Sequence, residues 1–164
     1  MFAIEALPIN AAELENAIQM VANIEAMVQP EDAWGYQTLL ELLEQESMSL
    51  LIAYEQAEKE SVTHREIVGY CLYQMTFEQA EVLRIGTNPK YQRQGIASKV
   101  VEKLHEVLQL NQVESLLLEV RADNAAAIAL YEQQAFSIIH RRKNYYKVPH
   151  KPAVDALIMQ HTYI

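Results

Sequence analysis

The chain has 164 residues, and several features are scarce or missing from it. One cysteine, Cys71, excludes an internal disulfide and agrees with a reducing compartment. It lies inside the apolar stretch VGYCLYQM, which reads as an inert core thiol rather than a nucleophile. Four glycines and five prolines are too few for a linker-rich or low-complexity chain. No apolar run approaches the ~20 residues of a membrane-spanning helix. The opening MFAIEALPIN has neither a basic region nor a small-residue cleavage site, so a cytoplasmic protein with no membrane partner is expected. Basic charge is also short, 13 Lys and Arg against 22 Asp and Glu. The net charge of -9 disfavours direct nucleic-acid binding and favours basic partners.

What is present suits one globular domain, expected to occupy residues 1–164. Hydrophobic residues make up 51% of the chain, and at this size roughly 70% of the unfolded surface can be buried. Residues 2 to 7 read as a strand ended by Pro8. Asn10 is placed to cap a helix over 11–28, where Leu14, Ala17, Ile18, Val21, Ile24 and Val28 recur at helical spacing. The loop QPEDAWGY leads to a second helix, TLLELLEQE, and then to a strand, MSLLIAYE. The charged stretch QAEKESVTHRE reads as a hairpin loop. IVGYCLYQMTF and AEVLRIGTN follow as an antiparallel pair. From Gly95 to about Leu110 a helical face runs through Ile96, Val100, Val101, Leu104, Val107 and Leu108. ESLLLEVR then reads as a buried parallel strand reached by that helical crossover. Asn124 can cap a helix, AAAIALYEQQ, and SIIHRRKNYY and AVDALIMQHT read as closing strands. The whole is an α/β layout around a mixed sheet.

Between the strand VLRIGT and the helix at Gly95 lies the polar turn NPKYQRQGIASK. A helix mouth offers unpaired N–H groups and the positive end of a dipole, so it suits an anion such as a pyrophosphate. The turn is neither a Walker loop nor a dinucleotide fingerprint, and an ordinary polar turn fits the same residues.

Gln92-Arg93-Gln94-Gly95-Ile96-Ala97 resembles the Gln/Arg-x-x-Gly-x-Gly/Ala signature of the GNAT superfamily of acetyl-CoA-dependent N-acetyltransferases. The later run Leu118-Glu119-Val120-Arg121-Ala122-Asp123-Asn124 through Tyr131-Glu132, Phe136 and Arg141-Arg142-Lys143-Asn144-Tyr145-Tyr146 is similar to RimI-type ribosomal-protein alanine N-acetyltransferases. The close match covers 82–146, with an echo at 155–159.

That resemblance implies a GNAT-like sheet, mostly antiparallel, with a central splayed parallel pair and helices on both faces. It implies acetyl-CoA as acetyl donor, held by Ile85, Gly86 and Thr87 along its pantetheine arm and by the amides of Arg93, Gln94, Gly95, Ile96, Ala97 and Ser98 around its pyrophosphate, with Asn124 as a further contact. Glu119 matches the proton acceptor and Tyr131 the proton donor to the leaving thiolate, with no metal needed. The acceptor it implies is the N-terminal alanine of a basic ribosomal protein; a small amine, a protein lysine, or acetyl-CoA binding without turnover are the alternatives.

The residues add their own argument. Glu119 is the lone carboxylate in LLLEV, and burial there should raise its pKa toward neutrality; a salt bridge to Arg121 or a neighbour fits it as well. Tyr131 stands seven residues, about two turns, after Asn124, so both can face one side of a helix. An α-amine titrates near 7.7–8.0 and a lysine near 10.4, so freeing a lysine at pH 7 costs roughly 3–4 kcal/mol more, which suits a modest base to an N-terminal acceptor. Ala135 stands where the family usually has glycine before the phenylalanine. An alanine forced to positive φ is costly, so a differently built helix end is expected. The basic cluster Arg141, Arg142, Lys143 and Lys147 fits the phosphates of the donor, the acceptor groove or a solvated face. The loop QPEDAWGY and the segment KVPHKPAV, which depart from the family pattern, are both expected to border the acceptor site.

Overall fold

The computed structural model describes residues 2–7, 11–55 and 66–163. The stop at Pro8, the cap at Asn10 and most of the charged loop 56–66 fall outside them. Seven strands form one sheet in the order β1-β2-β3-β4-β5-β7-β6. They are β1 (Phe2–Ala6), β2 (Met48–Glu55), β3 (Ile67–Thr76), β4 (Gln79–Thr87), β5 (Ser115–Arg121), β6 (Ser137–Tyr146) and β7 (Val154–Thr162). Every neighbouring pair is antiparallel except β4 and β5. Four helices, α1 (Ala11–Val28), α2 (Tyr36–Leu43), α3 (Ile96–Leu110) and α4 (Ala125–Gln133), complete the described residues. The expected mixed, mostly antiparallel sheet with a parallel pair is therefore the fold observed. No helix among the described residues is long and apolar enough to cross a membrane.

Two apolar layers bury the two faces of the sheet. On one, Ile96, Val100, Val101, Leu104 and Leu108 of α3 meet Cys71, Leu116, Leu118 and Val120. On the other, Ala17, Ile18, Val21 and Ile24 of α1 and Leu39 of α2 meet Leu50, Ile52, Tyr70 and Leu72. Each fully buried Leu or Ile contributes on the order of 1.5–3 kcal/mol, which holds these helices to the sheet. Helix α2 begins two residues before and ends three residues before the expected TLLELLEQE, with Gly35 as its N-cap.

Two irregularities prepare the site. The parallel ladder between β4 and β5 lasts only from Gln79↔Ser115 to Glu81↔Leu117, after which the strands part. Just beyond, the β3–β4 register shifts so that Val82 pairs with Tyr73 and Arg84 with Leu72, leaving Leu83 as an extra residue. Such a bulge turns consecutive side chains to one face and changes the alternation downstream. Arg84 and Gly86 thereby share the face of Leu72 and Tyr70, beneath α1.

Candidate active site

The turn before α3 is built from local chemistry. Asn88 accepts a bond from the Lys90 amide at 3.0 Å and opens a 3-10 turn over Pro89–Tyr91. The Tyr91 hydroxyl donates to Glu66 at 3.1 Å. Arg93 (φ 65°) and Gly95 (φ 78°) are both left-handed. An L side chain is strained there, which is one reason for a glycine, and a Cβ at Gly95 would meet nothing within 4 Å. The first α3 bond runs from Lys99 N to Gly95 O at 3.1 Å, so the amides of Ile96, Ala97 and Ser98 precede the helical ladder. Side chains of Gln92, Arg93 and Gln94 are exposed, while Ile96 is buried against Gly69, where an added Cβ would lie 3.0 Å from its Cγ2. The result is an open concavity of N–H groups suited to an anion.

Ile85, Gly86 and Thr87 pair with Cys71, Tyr70 and Gly69 on one side and with no strand on the side where β5 has departed. That edge is free to bond an extended amide-bearing ligand, as an edge strand does. Gly86 is required for a different reason: a Cβ there would sit 2.7 Å from the Tyr70 hydroxyl.

Glu119 and Tyr131 flank the gap from opposite faces. On β5, Leu118 and Val120 belong to the α3 layer, so Glu119 between them points to the other face. It is partly exposed, which corrects the expectation of a fully buried carboxylate: the parting of β4 leaves that flank of β5 uncovered. The Tyr146 hydroxyl donates to Glu119 Oε1 at 2.9 Å. Arg121, the salt-bridge partner weighed for Glu119, instead pairs with Asp123, through Nε and Nη2 at 3.0 Å each, and lies 5.1 Å over the Tyr146 ring.

Tyr131 is buried in the α3 layer, near enough to the Cys71 thiol to be influenced by it. Burial, with that thiol, pushes its phenol well above the ordinary tyrosine value, so it stays protonated at neutral pH. Cys71 itself is fully buried and pushed up to about 12, as an inert core thiol should be. Asn124 caps α4 by accepting from Ala127 N at 3.2 Å.

The end of α4 corrects another expectation. Ala135 does adopt φ 66°, with Ala135 N bonded to Glu132 O at 3.1 Å and Phe136 N to Tyr131 O at 2.9 Å. These two bonds form the Schellman arrangement that a glycine normally closes. Its customary hydrophobic contact is the edge packing of Phe136 on Tyr131, centroids 5.7 Å apart.

A cavity of about 290 Å³ reaches Tyr146, the donor to Glu119, and is lined by Glu31, Arg121, Asp123, Tyr146, Lys151 and Val154, among others. Glu31 comes from the α1–α2 loop and Lys151 from the β6–β7 loop, and the two meet at 3.4 Å. A second groove of about 300 Å³, between α1, α2, β1 and β2, is apolar and holds none of the site residues. Glu31 and Lys151 lie in the two segments, QPEDAWGY and KVPHKPAV, expected to border the acceptor site, and Tyr146 lies in the Arg141–Tyr146 run of the resemblance. The sequence gives none of the three a role, because which side chains of two distant loops meet is not a local pattern. The basic cluster lies on and just after the edge strand β6, separated from β4 by β5 and β7, away from the α3 mouth. Within it Arg141 pairs with Asp155 at 2.8 Å and Arg142 lies over Tyr145.

Comparison with known proteins agrees with this geometry. Over 94 residues the chain is 39% identical to the [Ribosomal protein bS18]-alanine N-acetyltransferase of Escherichia coli K12, a stretch covering 57% of this chain and 63% of that relative. It is 41% identical over 68 residues to the N-alpha-acetyltransferase RimI of Mycobacterium tuberculosis, covering 42% and 41% of the two chains. The crystal structure of the ribosomal-protein-S18-alanine N-acetyltransferase from E. coli superposes with a TM-score of 0.82 at 28% identity, over 99% of this chain and 94% of that one. Arabidopsis thaliana NAA60 in complex with a bisubstrate analogue shares the fold, with a TM-score of 0.80 at 15% identity over 99% and 98%. Residues 17–136 match the Acetyltransferase (GNAT) family, and the chain belongs to that family.

Proposed function

We propose that residues 1–164 act as a single N-acetyltransferase domain that moves the acetyl group of acetyl-CoA to the N-terminal alanine of a ribosomal protein. The observation that carries this reading is the parting of β4 from β5, with the open α3 mouth at one end and Glu119 and Tyr131 on its two sides. Acetyl-CoA is the donor substrate. Ile85, Gly86 and Thr87 pair with its extended arm, the amides from Arg93 through Ser98 receive its pyrophosphate, and Asn124 lies alongside. The acceptor amine attacks the thioester carbonyl and the C–S bond breaks. Glu119 takes the amine proton, directly or through water, and Tyr131, kept protonated by burial, returns a proton to the sulfur. Tyr146 holds the Glu119 carboxylate in place. The acceptor assignment draws on the likeness to enzymes named for alanine of ribosomal protein bS18.

The test is release of free thiol from acetyl-CoA with an alanine-initiated, arginine-rich peptide. Tyr131→Phe and Glu119→Gln should each lower kcat by about 10²-fold with acetyl-CoA affinity retained. Wild-type turnover in both variants would remove their proton-transfer roles. A preference for an internal lysine over the free N-terminus would replace the acceptor.

A further inference from the structure

Glu25, in the middle of α1, is completely buried, and its carboxylate is held from four directions. The Tyr70 hydroxyl and Gln29 Nε2 (3.3 Å) donate to Oε1, Trp34 N donates to Oε2 at 3.0 Å, and Arg84 Nε lies 3.9 Å from Oε2. Arg84 itself is mostly buried. It donates to Gln29 Oε1, to the Asp32 carbonyl at 3.2 Å and to Asp32 Oδ2 at 3.3 Å, and its guanidinium stacks 4.2 Å from the Trp34 ring centroid. An apolar pair of equal volume would fasten a helix to a sheet at least as firmly as a buried ion pair, so packing alone does not account for these charges. What they supply is direction: every partner outside the sheet is either Glu25 or a residue between Gln29 and Trp34.

That segment is the α1–α2 loop. Glu31 stands in it between Gln29 and Asp32, both held by Arg84, and Glu31 lines the cavity that reaches Tyr146, the donor to Glu119, and meets Lys151 across it. Arg84 is in turn turned toward the loop by the β4 bulge. We propose that Arg84, acting through Glu25 and Asp32, is a positioning residue that sets the α1–α2 loop as one wall of the acceptor cavity and so controls acceptor affinity. This rests on the acetyltransferase reading above.

Arg84→Lys keeps a cation opposite Glu25 but lacks the planar fork that reaches Gln29 and Asp32 together. Asp32→Ala removes an exposed partner and leaves Glu25 and its donors intact. In both variants the KM for the alanine-initiated peptide should rise, by about tenfold for Arg84→Lys and about threefold for Asp32→Ala, with kcat within about twofold and acetyl-CoA affinity unchanged. Their effects should be less than additive in the double variant, because both break one contact. Amide exchange at Trp34 should quicken in Arg84→Lys while that of β3 stays slow. A fall in kcat at constant KM, or a loss of acetyl-CoA affinity that parallels the rise in KM, overturns the acceptor role. Unchanged Trp34 exchange overturns the clamp itself. A wild type that fails to acetylate the peptide strikes the parent reading, and the exchange result still decides the clamp.

Discussion

Ala135 shows how a single residue carries strain for a site. Its left-handed backbone closes the Schellman turn that presses Phe136 onto Tyr131, and an L-alanine in that region is destabilised by about 1 kcal/mol relative to glycine. Ala135→Gly should therefore raise the unfolding free energy by about 0.5 kcal/mol, the relief of strain being partly offset by the freer unfolded chain. Urea denaturation at fixed pH measures this, and a destabilised variant would show that the alanine methyl packs usefully. The residue-level reading of the sequence was right about the conformation this position requires and wrong that alanine would change the turn. The contact that accompanies it lies between side chains whose meeting depends on the turn itself. Glu119 and the α3 mouth were legible because each breaks a local rule, a carboxylate inside an apolar run and a glycine where a helix begins, whereas Tyr131 was picked out by the family resemblance.

At the scale of elements, a cluster of rings ties α3 to the end of the sheet. His105 on α3 hydrogen-bonds Tyr163 at 2.6 Å and stacks near His161 and Phe136, while His161 Nδ1 donates to the Ala135 carbonyl at 2.9 Å. Partial burial, followed by the nearby His161, lowers the His105 pKa below its ordinary value; the Gln134 backbone and Glu102 act weakly in the opposite direction. The sign follows directly. In the unfolded chain His105 binds its proton near pH 6.5, and in the folded protein only at lower pH, so the unfolded state holds more protons between these values. Stability contributed by neutral His105 is complete above about pH 6.5 and is lost as pH falls through the window toward the folded pKa. Thermal unfolding between pH 7.5 and 5.5 should show a steeper acid decline for the wild type than for His105→Phe. Parallel curves would mean that the histidine titrates alike in both states. Helices and strands were readable almost throughout, α1, β2 and β6 to the residue: α1 repeats its apolar face at helical spacing, β2 is a continuous apolar run buried on both faces, and β6, exposed along its length, is bounded by the turns that flank it. The β4 bulge was not readable, since an extra residue changes which face follows without altering composition.

At the scale of the whole molecule, a net charge of -9 accompanies a proposed acceptor cavity that carries both signs, Glu31 and Asp123 against Arg121 and Lys151. The long-range field attracts a basic peptide even though β6 presents a local basic edge, and attraction at that range is screened within about 8–10 Å at 0.1–0.15 M salt. The kcat/KM for an alanine-initiated, arginine-rich peptide should fall as salt rises, whereas that for a neutral alanine-initiated peptide should stay nearly constant. Equal responses of the two peptides would take electrostatic steering out of acceptor choice.

The sequence by itself determined the elements, their faces, the glycine at the α3 mouth and the lone carboxylate Glu119, because periodicity, capping and local exceptions are properties of neighbours along the chain, whereas the proton-transfer roles of Glu119 and Tyr131 rest on the family resemblance. Tertiary structure alone decided that β5 leaves β4 after three paired residues, that Glu119 is held by Tyr146 rather than by Arg121, and that Glu25 and Arg84 fasten the loop bearing Glu31. Each of those outcomes joins residues that are distant in the chain or depends on register between strands. Hydrogen bonds and ion pairs between such groups are set by which surfaces the packed layers bring within about 3 Å, a distance that no local pattern encodes.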